Sequence, residues 1–146
     1  MRLLVSACLL GLRCRYDGGG KPCPAVLELI KQHTLIPVCP EQLGGLPTPR
    51  PPAEIQESQV VNRLGQNVTE AYQKGAQEAL ALYRLLGCDA AILKARSPSC
   101  GCGQVYDGSF SGTLAPGYGV TAFLLRAQGV PVFTEEDTLA QRFTEK

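Results

Sequence analysis

A chain of 146 residues, 45% hydrophobic and 18% charged, has the size and balance of one globular domain rather than of a disordered or fibrous protein. Its net charge of +1 gives no electrostatic grip on nucleic acid or an anionic membrane, and no apolar run is long enough to span a bilayer. Seven cysteines is an odd number, and the start lacks a signal-peptide h-region, so the thiols are expected to be reduced and the protein cytoplasmic.

In chain order, residues 2–7 predict a first strand that runs through Leu3-Leu4-Val5-Ser6-Ala7 into Cys8. The loop from Leu9 to Lys21 is long enough to be functional, and it carries Cys14, Arg15, Tyr16, Asp17 and three consecutive glycines. Pro24 suits the first turn of a helix with Val26, Leu27, Leu29 and Ile30 on its apolar face. Leu35 to Val38 predict a second strand leading into Cys39. From Cys39 to Pro52, five prolines and Gly44-Gly45 predict no regular structure, only a stiff segment that holds its side chains in place. Gln56 to Val68 read as a small hairpin or exposed loop with Leu64-Gly65-Gln66-Asn67 at its tip.

Thr69 is expected to cap a long amphipathic helix bearing Tyr72, Ala76, Ala79, Leu80, Tyr83 and Leu86, with Gly87 as its stop. Ala90 to Leu93 predict a third strand, which opens into Ser97-Pro98-Ser99-Cys100-Gly101. Gly103 to Gly119 read as a glycine-rich loop. A helix from about Val120 to Gln128 ends at Gly129, Val130 to Phe133 form a fourth strand, and Thr134 caps a short helix to about Arg142. This alternation predicts an α/β fold: a single Rossmann-like three-layer domain over residues 1–146, with a mainly parallel sheet of four or slightly more strands and no additional C-terminal domain.

Three of these strands each lead toward a cysteine. In an open parallel sheet ligands bind outside the carboxyl ends of the strands, so Cys8, Cys39 and Cys100 are read as thiolates that converge on one metal centre. The paired Cys-x-x-Cys or His-x-His spacing of zinc sites is missing, and the single histidine, His33, sits at a helix end. An iron–sulfur cluster asks only for thiolates in space, and three of them leave one iron open as a Lewis acid. Cys14 is the candidate fourth ligand, which would close that iron, and Cys102 competes with Cys100. Cys23 begins a helix, and Cys88 reads as a small buried apolar residue. Glu41, two residues after Cys39, is either a general base or an exposed loop carboxylate. Ser97 and Ser99 are turn formers or site groups, and Arg50 either anchors its loop or recognises a polar substrate edge. Tyr16 is a further candidate for substrate contact.

At these residues the chain resembles a known family. Val5-Ser6-Ala7-Cys8-Leu9-Leu10-Gly11, Cys14-Arg15-Tyr16-Asp17-Gly18, Pro37-Val38-Cys39-Pro40-Glu41, Gly44-Gly45-Leu46, Pro49-Arg50 and Ser97-Pro98-Ser99-Cys100-Gly101 resemble the motifs of the thiouracil desulfidases. The resemblance implies an oxygen-sensitive [4Fe-4S] cluster on Cys8, Cys39 and Cys100. It also implies conversion of a thiolated pyrimidine such as 2-thiouracil to uracil and hydrogen sulfide, the substrate sulfur being bound by the open iron. The family's acidic residue and serine match Glu41 and Ser97. Glu41 would activate water and Ser97 would relay or donate a proton. No net electron transfer is involved, so no redox partner is expected. Two other readings stand beside this one: cluster-dependent sulfur handling on another thiolated small molecule, and a non-enzymatic metal- or redox-sensing module.

Overall fold

The computed structural model describes residues 1–143. Along the chain run β1 (Arg2–Ser6), α1 (Pro24–Glu28), β2 (Thr34–Val38), α2 (Pro40–Leu43), β3 (Ala53–Gln56), β4 (Gln59–Asn62), α3 (Thr69–Leu85), β5 (Ala90–Leu93), β6 (Cys102–Tyr106), β7 (Leu114–Tyr118), α4 (Val120–Ala127), β8 (Val132–Thr134) and α5 (Leu139–Arg142). Strands β2-β1-β5-β8, in that order, form a four-stranded sheet whose neighbours all pair in parallel. The two hairpins, β3–β4 and β6–β7, stand apart from it as separate antiparallel ribbons.

The period of two along a strand sorts the core into layers. Leu3 and Val5 of β1, with Ala90 and Ile92 of β5, face one layer with Val26, Leu29, Leu139 and Phe143. Leu4, Ala91 and Leu93 point the other way, onto Ala79 and Leu80 of α3 and Ala122 and Leu125 of α4. Both faces of the sheet are therefore covered, as parallel sheets require, and the architecture is the three-layer α/β arrangement expected. Each fully buried leucine contributes roughly 1.5–3 kcal/mol by leaving water. Pro37 is tolerated in β2 because that strand is an edge, where one side of the ladder needs no N–H. No helix among the described residues is long and apolar enough to cross a membrane.

Several local expectations change. Of α1 and the turn that follows it, only Val26 and Leu29 face inward, while Leu27 and Ile30 are 36% and 56% exposed. The helix has five residues before a 3-10 turn takes over at Leu29–Lys31, too short to present a wider face. The proline-rich stretch is not devoid of regular structure, for α2 is one helical turn with Pro40 at its first position, where no N–H is needed. The hairpin after it pairs Gln56 with Gln59, so its tip is Glu57-Ser58, and Leu64-Gly65 belongs to a second turn held by Asn62 Oδ1. Thr69 does not cap α3 with its side chain. Its Oγ1 accepts the Val60 N–H, tying the helix to β4, and Asn67 Oδ1 takes the Thr69 N–H. Gly103 to Gly119, expected as a loop, contain most of the β6–β7 hairpin. The last strand starts at Val132, and Thr134 closes it rather than opening a helix, which begins only at Leu139.

One contact positions the site. Helix α2 lies on α3 at two glycines: a Cβ on Gly75 would fall 1.9 Å from the Pro40 carbonyl oxygen, and one on Gly44 2.0 Å from that of Ala71. The segment carrying Cys39 and Glu41 is thereby pressed against the long helix.

Candidate metal centre and active site

Beyond the carboxyl ends of β1, β2 and β5 the protein forms a cavity of about 500 Å³, within the usual range for small-molecule sites. Cys8, Cys14, Cys39 and Cys100 line it. Cys8 lies in the 3-10 turn Ala7–Leu10 directly after β1, and Cys39 follows the last residue of β2. Parallel pairing of Ser6 with Val38 brings these two chain exits side by side. Cys100 does not sit at the end of β5 itself but arrives through the loop that follows.

That loop is fixed from two directions. Ser97 Oγ accepts the N–H groups of Ser99 and Cys100 at 3.1 and 3.0 Å, and its carbonyl accepts the Gly101 N–H at 2.8 Å. The N–H groups of Gly119, Val120 and Thr121, at the start of α4, then donate to the carbonyls of Gly101, Pro98 and Ser99. Position 119 must be glycine, because a Cβ there would meet the Ser99 carbonyl carbon at 2.4 Å. Ser99 itself is buried behind the cavity wall, its hydroxyl shared with Thr121 Oγ1 at 2.9 Å. Ser99, a candidate substrate-binding residue in the sequence, therefore does not line the cavity, and its hydroxyl is engaged with α4.

The thiols differ in their electrostatics. Burial pushes the pKa of Cys8 up to about 11, opposed chiefly by the positive charge of Lys94. Burial likewise raises Cys100 to about 12, opposed by a hydrogen bond from Ser6. Cys14 and Cys39 share a hydrogen bond that lowers the pKa of Cys39 and raises that of Cys14. Most of these thiols therefore hold their protons near neutrality, and a metal centre must displace them on binding.

Glu41 and Arg50 form a largely buried pair, with Arg50 Nε donating to Glu41 Oε1 at 2.8 Å. The rest of the guanidinium donates to Thr48 Oγ1, the Pro47 carbonyl and the Cys14 carbonyl. Of the two roles open for Arg50, this geometry is that of an anchor joining three loop segments. Tyr72 of α3 hydrogen-bonds Glu41 as well; burial, then the charge of Glu41, raises its phenol pKa. Tyr16 lies on the cavity wall, 41% exposed.

Some cavity residues were not singled out from the sequence. Tyr72 reads only as a core position of a helix, and Lys94 only as a residue of the segment after a strand. In the structure Lys94 Nζ bonds Glu135 at 2.8 Å, inside the cavity wall. Nothing in the local sequence couples Lys94 to Glu135, since their approach depends on β5 pairing with β8. Cys23, Cys88 and Cys102 do not line the cavity, and the Cys102 sulfur instead faces Arg126 Nη1 at 3.8 Å.

The donor set distinguishes between cofactors. All seven cysteines are free. Yet among the described residues no three His, Cys, Asp or Glu side chains come together closely enough to hold one metal ion. Several free thiols around a shared cavity suit an iron–sulfur cluster, which asks only for thiolates in space.

Comparison with known proteins places the chain among relatives of one family. A family model described as 2-thiouracil desulfurase matches residues 3–137. The uncharacterized protein YbbK of Bacillus subtilis (strain 168) is 41% identical over 145 residues, covering 92% of this chain and 96% of that protein. Among solved structures, the [4Fe-4S]-dependent thiouracil desulfidase TudS is 45% identical and superposes with a TM-score of 0.89, covering 96% of this chain and 93% of the other.

Proposed function

Because the chain belongs to the 2-thiouracil desulfurase family, we propose that it removes sulfur from a thiolated pyrimidine such as 2-thiouracil, giving uracil and hydrogen sulfide. The observation that carries this reading is the meeting of Cys8, Cys39 and Cys100, from three separate segments, on one cavity that also holds a carboxylate and a serine. These three thiolates would hold a [4Fe-4S] cluster. Such a cluster would supply Lewis acidity suited to a soft thiocarbonyl sulfur, making the attached carbon more open to attack.

The protein's own groups supply the rest. Glu41 takes the proton of the water that attacks this carbon, while Arg50 and Tyr72, both donating to Glu41, fix the direction in which it accepts. Ser97 already accepts two backbone N–H groups, so its own O–H proton is the one it has to give, and it donates to the departing side of the substrate. Cys14, whose carbonyl accepts from Cys39 Sγ at 3.7 Å, would stay off the cluster and so leave an iron for substrate. Lys94 holds positive charge beside Cys8. The reaction moves no net electrons and so needs no redox partner. One domain suffices for it, and seven free thiols suit a reducing cytoplasm.

Anaerobic reconstitution with iron and sulfide tests the proposal. The loaded protein should release sulfide and uracil from 2-thiouracil in equal amounts. A full cluster with no sulfide release refutes the activity, and stoichiometric zinc binding without cluster assembly refutes the cofactor.

A further inference from the structure

One wall of the cavity is built by the two hairpins and has no part in the chemistry above. It presents Phe110, from the turn between β6 and β7, together with Arg63, which follows β4. Phe110 has a positive φ of 56°, a conformation that costs a side-chain-bearing residue energy and persists only where the surroundings enforce it.

The enforcement is visible. Glu54 of β3 is a buried carboxylate whose Oε1 accepts the N–H groups of Gly108 and Phe110 at 2.9 and 3.1 Å. Gln56 Nε2 donates to the Gly108 carbonyl at 2.9 Å. The turn sits so close to β3 that a Cβ on Gly108 would meet the Ile55 carbonyl oxygen at 2.7 Å. Asp107 Oδ1 accepts both the N–H and the hydroxyl of Ser109, closing the turn internally. The Arg63 guanidinium lies over the Phe110 ring at 5.2 Å from its centroid and occupies one face. A ring with its backbone pinned, one face covered by a cation and a place on the cavity wall is a preorganised platform for a flat ligand.

We propose that Phe110 is the specificity-determining platform of this site, stacking its free face on the pyrimidine ring and so selecting planar heteroaromatic thiones over open-chain thiones such as thiourea. The proposal rests on the desulfidase reading for the identity of the ring. Glu54 and Arg63 are positioning residues that act through Phe110. Stacking holds substrate and transition state alike, so its loss appears in KM and leaves kcat near the wild-type value.

Two variants test it. Phe110→Ala should raise KM for 2-thiouracil on the order of ten- to a hundredfold, with kcat and iron content retained, as stacking of bases on aromatic side chains implies. Its kcat/KM for thiourea should be unchanged, so discrimination between the two thiones falls by the same factor. A KM within twofold of wild type in a fully loaded variant overturns the platform. The chain contains no tryptophan, so Phe110→Trp places a lone fluorophore on the wall. Uracil, which is transparent where tryptophan is excited, should quench it saturably in the cluster-loaded protein. No quenching overturns the platform even if wild type releases sulfide. Quenching without sulfide release by wild type supports a pyrimidine platform and refutes the desulfidase reading instead.

Discussion

Replacing Gly75 by alanine tests how tightly the segment carrying Cys39 and Glu41 depends on α3. In an exposed helix interior, Gly→Ala stabilises by about 0.8–1 kcal/mol through backbone entropy. Here the new methyl would lie 1.9 Å from the Pro40 carbonyl oxygen, where real Cβ atoms keep at least 3.0 Å. The two backbones must part by roughly 1 Å, and overpacking of this kind costs about 1–3 kcal/mol. The expected net effect is a loss of up to about 2 kcal/mol, or a fall in Tm of a few degrees for a domain of this size. Pro40 lies between Cys39 and Glu41, so both move with it, and a displacement near 1 Å is expected to slow the chemical step by about 10²-fold. Thermal unfolding and anaerobic single-turnover sulfide release, with iron determined on the same sample, read out the two effects. A Gly75→Ala protein that melts higher than wild type and releases sulfide at the same rate would refute the argument.

Three further outcomes are expected. Cys8→Ala, Cys39→Ala and Cys100→Ala should each lose stable cluster assembly, while Cys88→Ala, which is off the cavity, keeps wild-type iron content; unchanged iron and sulfide in any of the first three removes that residue from the centre. Glu41→Gln should retain cluster absorbance but slow single-turnover sulfide release by about 10²–10⁴-fold, the usual worth of a general base, and a full cluster with wild-type rate would exclude Glu41 from that role. Arg50→Met leaves the Glu41 carboxylate without its buried partner and strips the hydrogen bonds to Thr48 and the Pro47 and Cys14 carbonyls, so unfolding in urea should show a loss of about 3–5 kcal/mol, and a midpoint equal to wild type would show that the pair anchors nothing.

The sheet was legible because its strands are runs such as Leu3-Leu4-Val5 and Ala90-Ala91-Ile92-Leu93, buried on both faces and bounded by turn residues. The four cavity thiols were legible for a related reason: each lies in loop chemistry outside a strand. What escaped depends on distant partners. The β6–β7 hairpin is masked by Gly103, Gly117 and Pro116, whose composition signals a loop while the ladder is set by pairing with its own return strand. Thr69 carries a helix-capping side chain, yet β4 claims its hydroxyl. Ser99 looks as available as Ser97 in the sequence, and only the arrival of Thr121 from α4 separates a wall-building serine from one that lines the cavity. Gly75 in a helix looks like a defect until α2 is laid across it.

The pairing of Ser6 with Val38 has a consequence for metal traffic in the cell. Zinc out-competes ferrous iron for most thiolate sites on affinity alone, so a protein that needs iron must reject zinc by shape. Cys8 and Cys39 leave neighbouring strands held about 4.8 Å apart by the ladder, a spacing at which two sulfurs could share one small ion, so the rejection of zinc would fall to Cys100, which arrives through a loop pinned to α4 and not from an adjacent strand end. Protection against mis-metallation would then be written into the backbone hydrogen bonds that fix this loop and not into the ligands, and substitutions that free it from α4, such as Gly119→Ala, should admit zinc before they abolish folding.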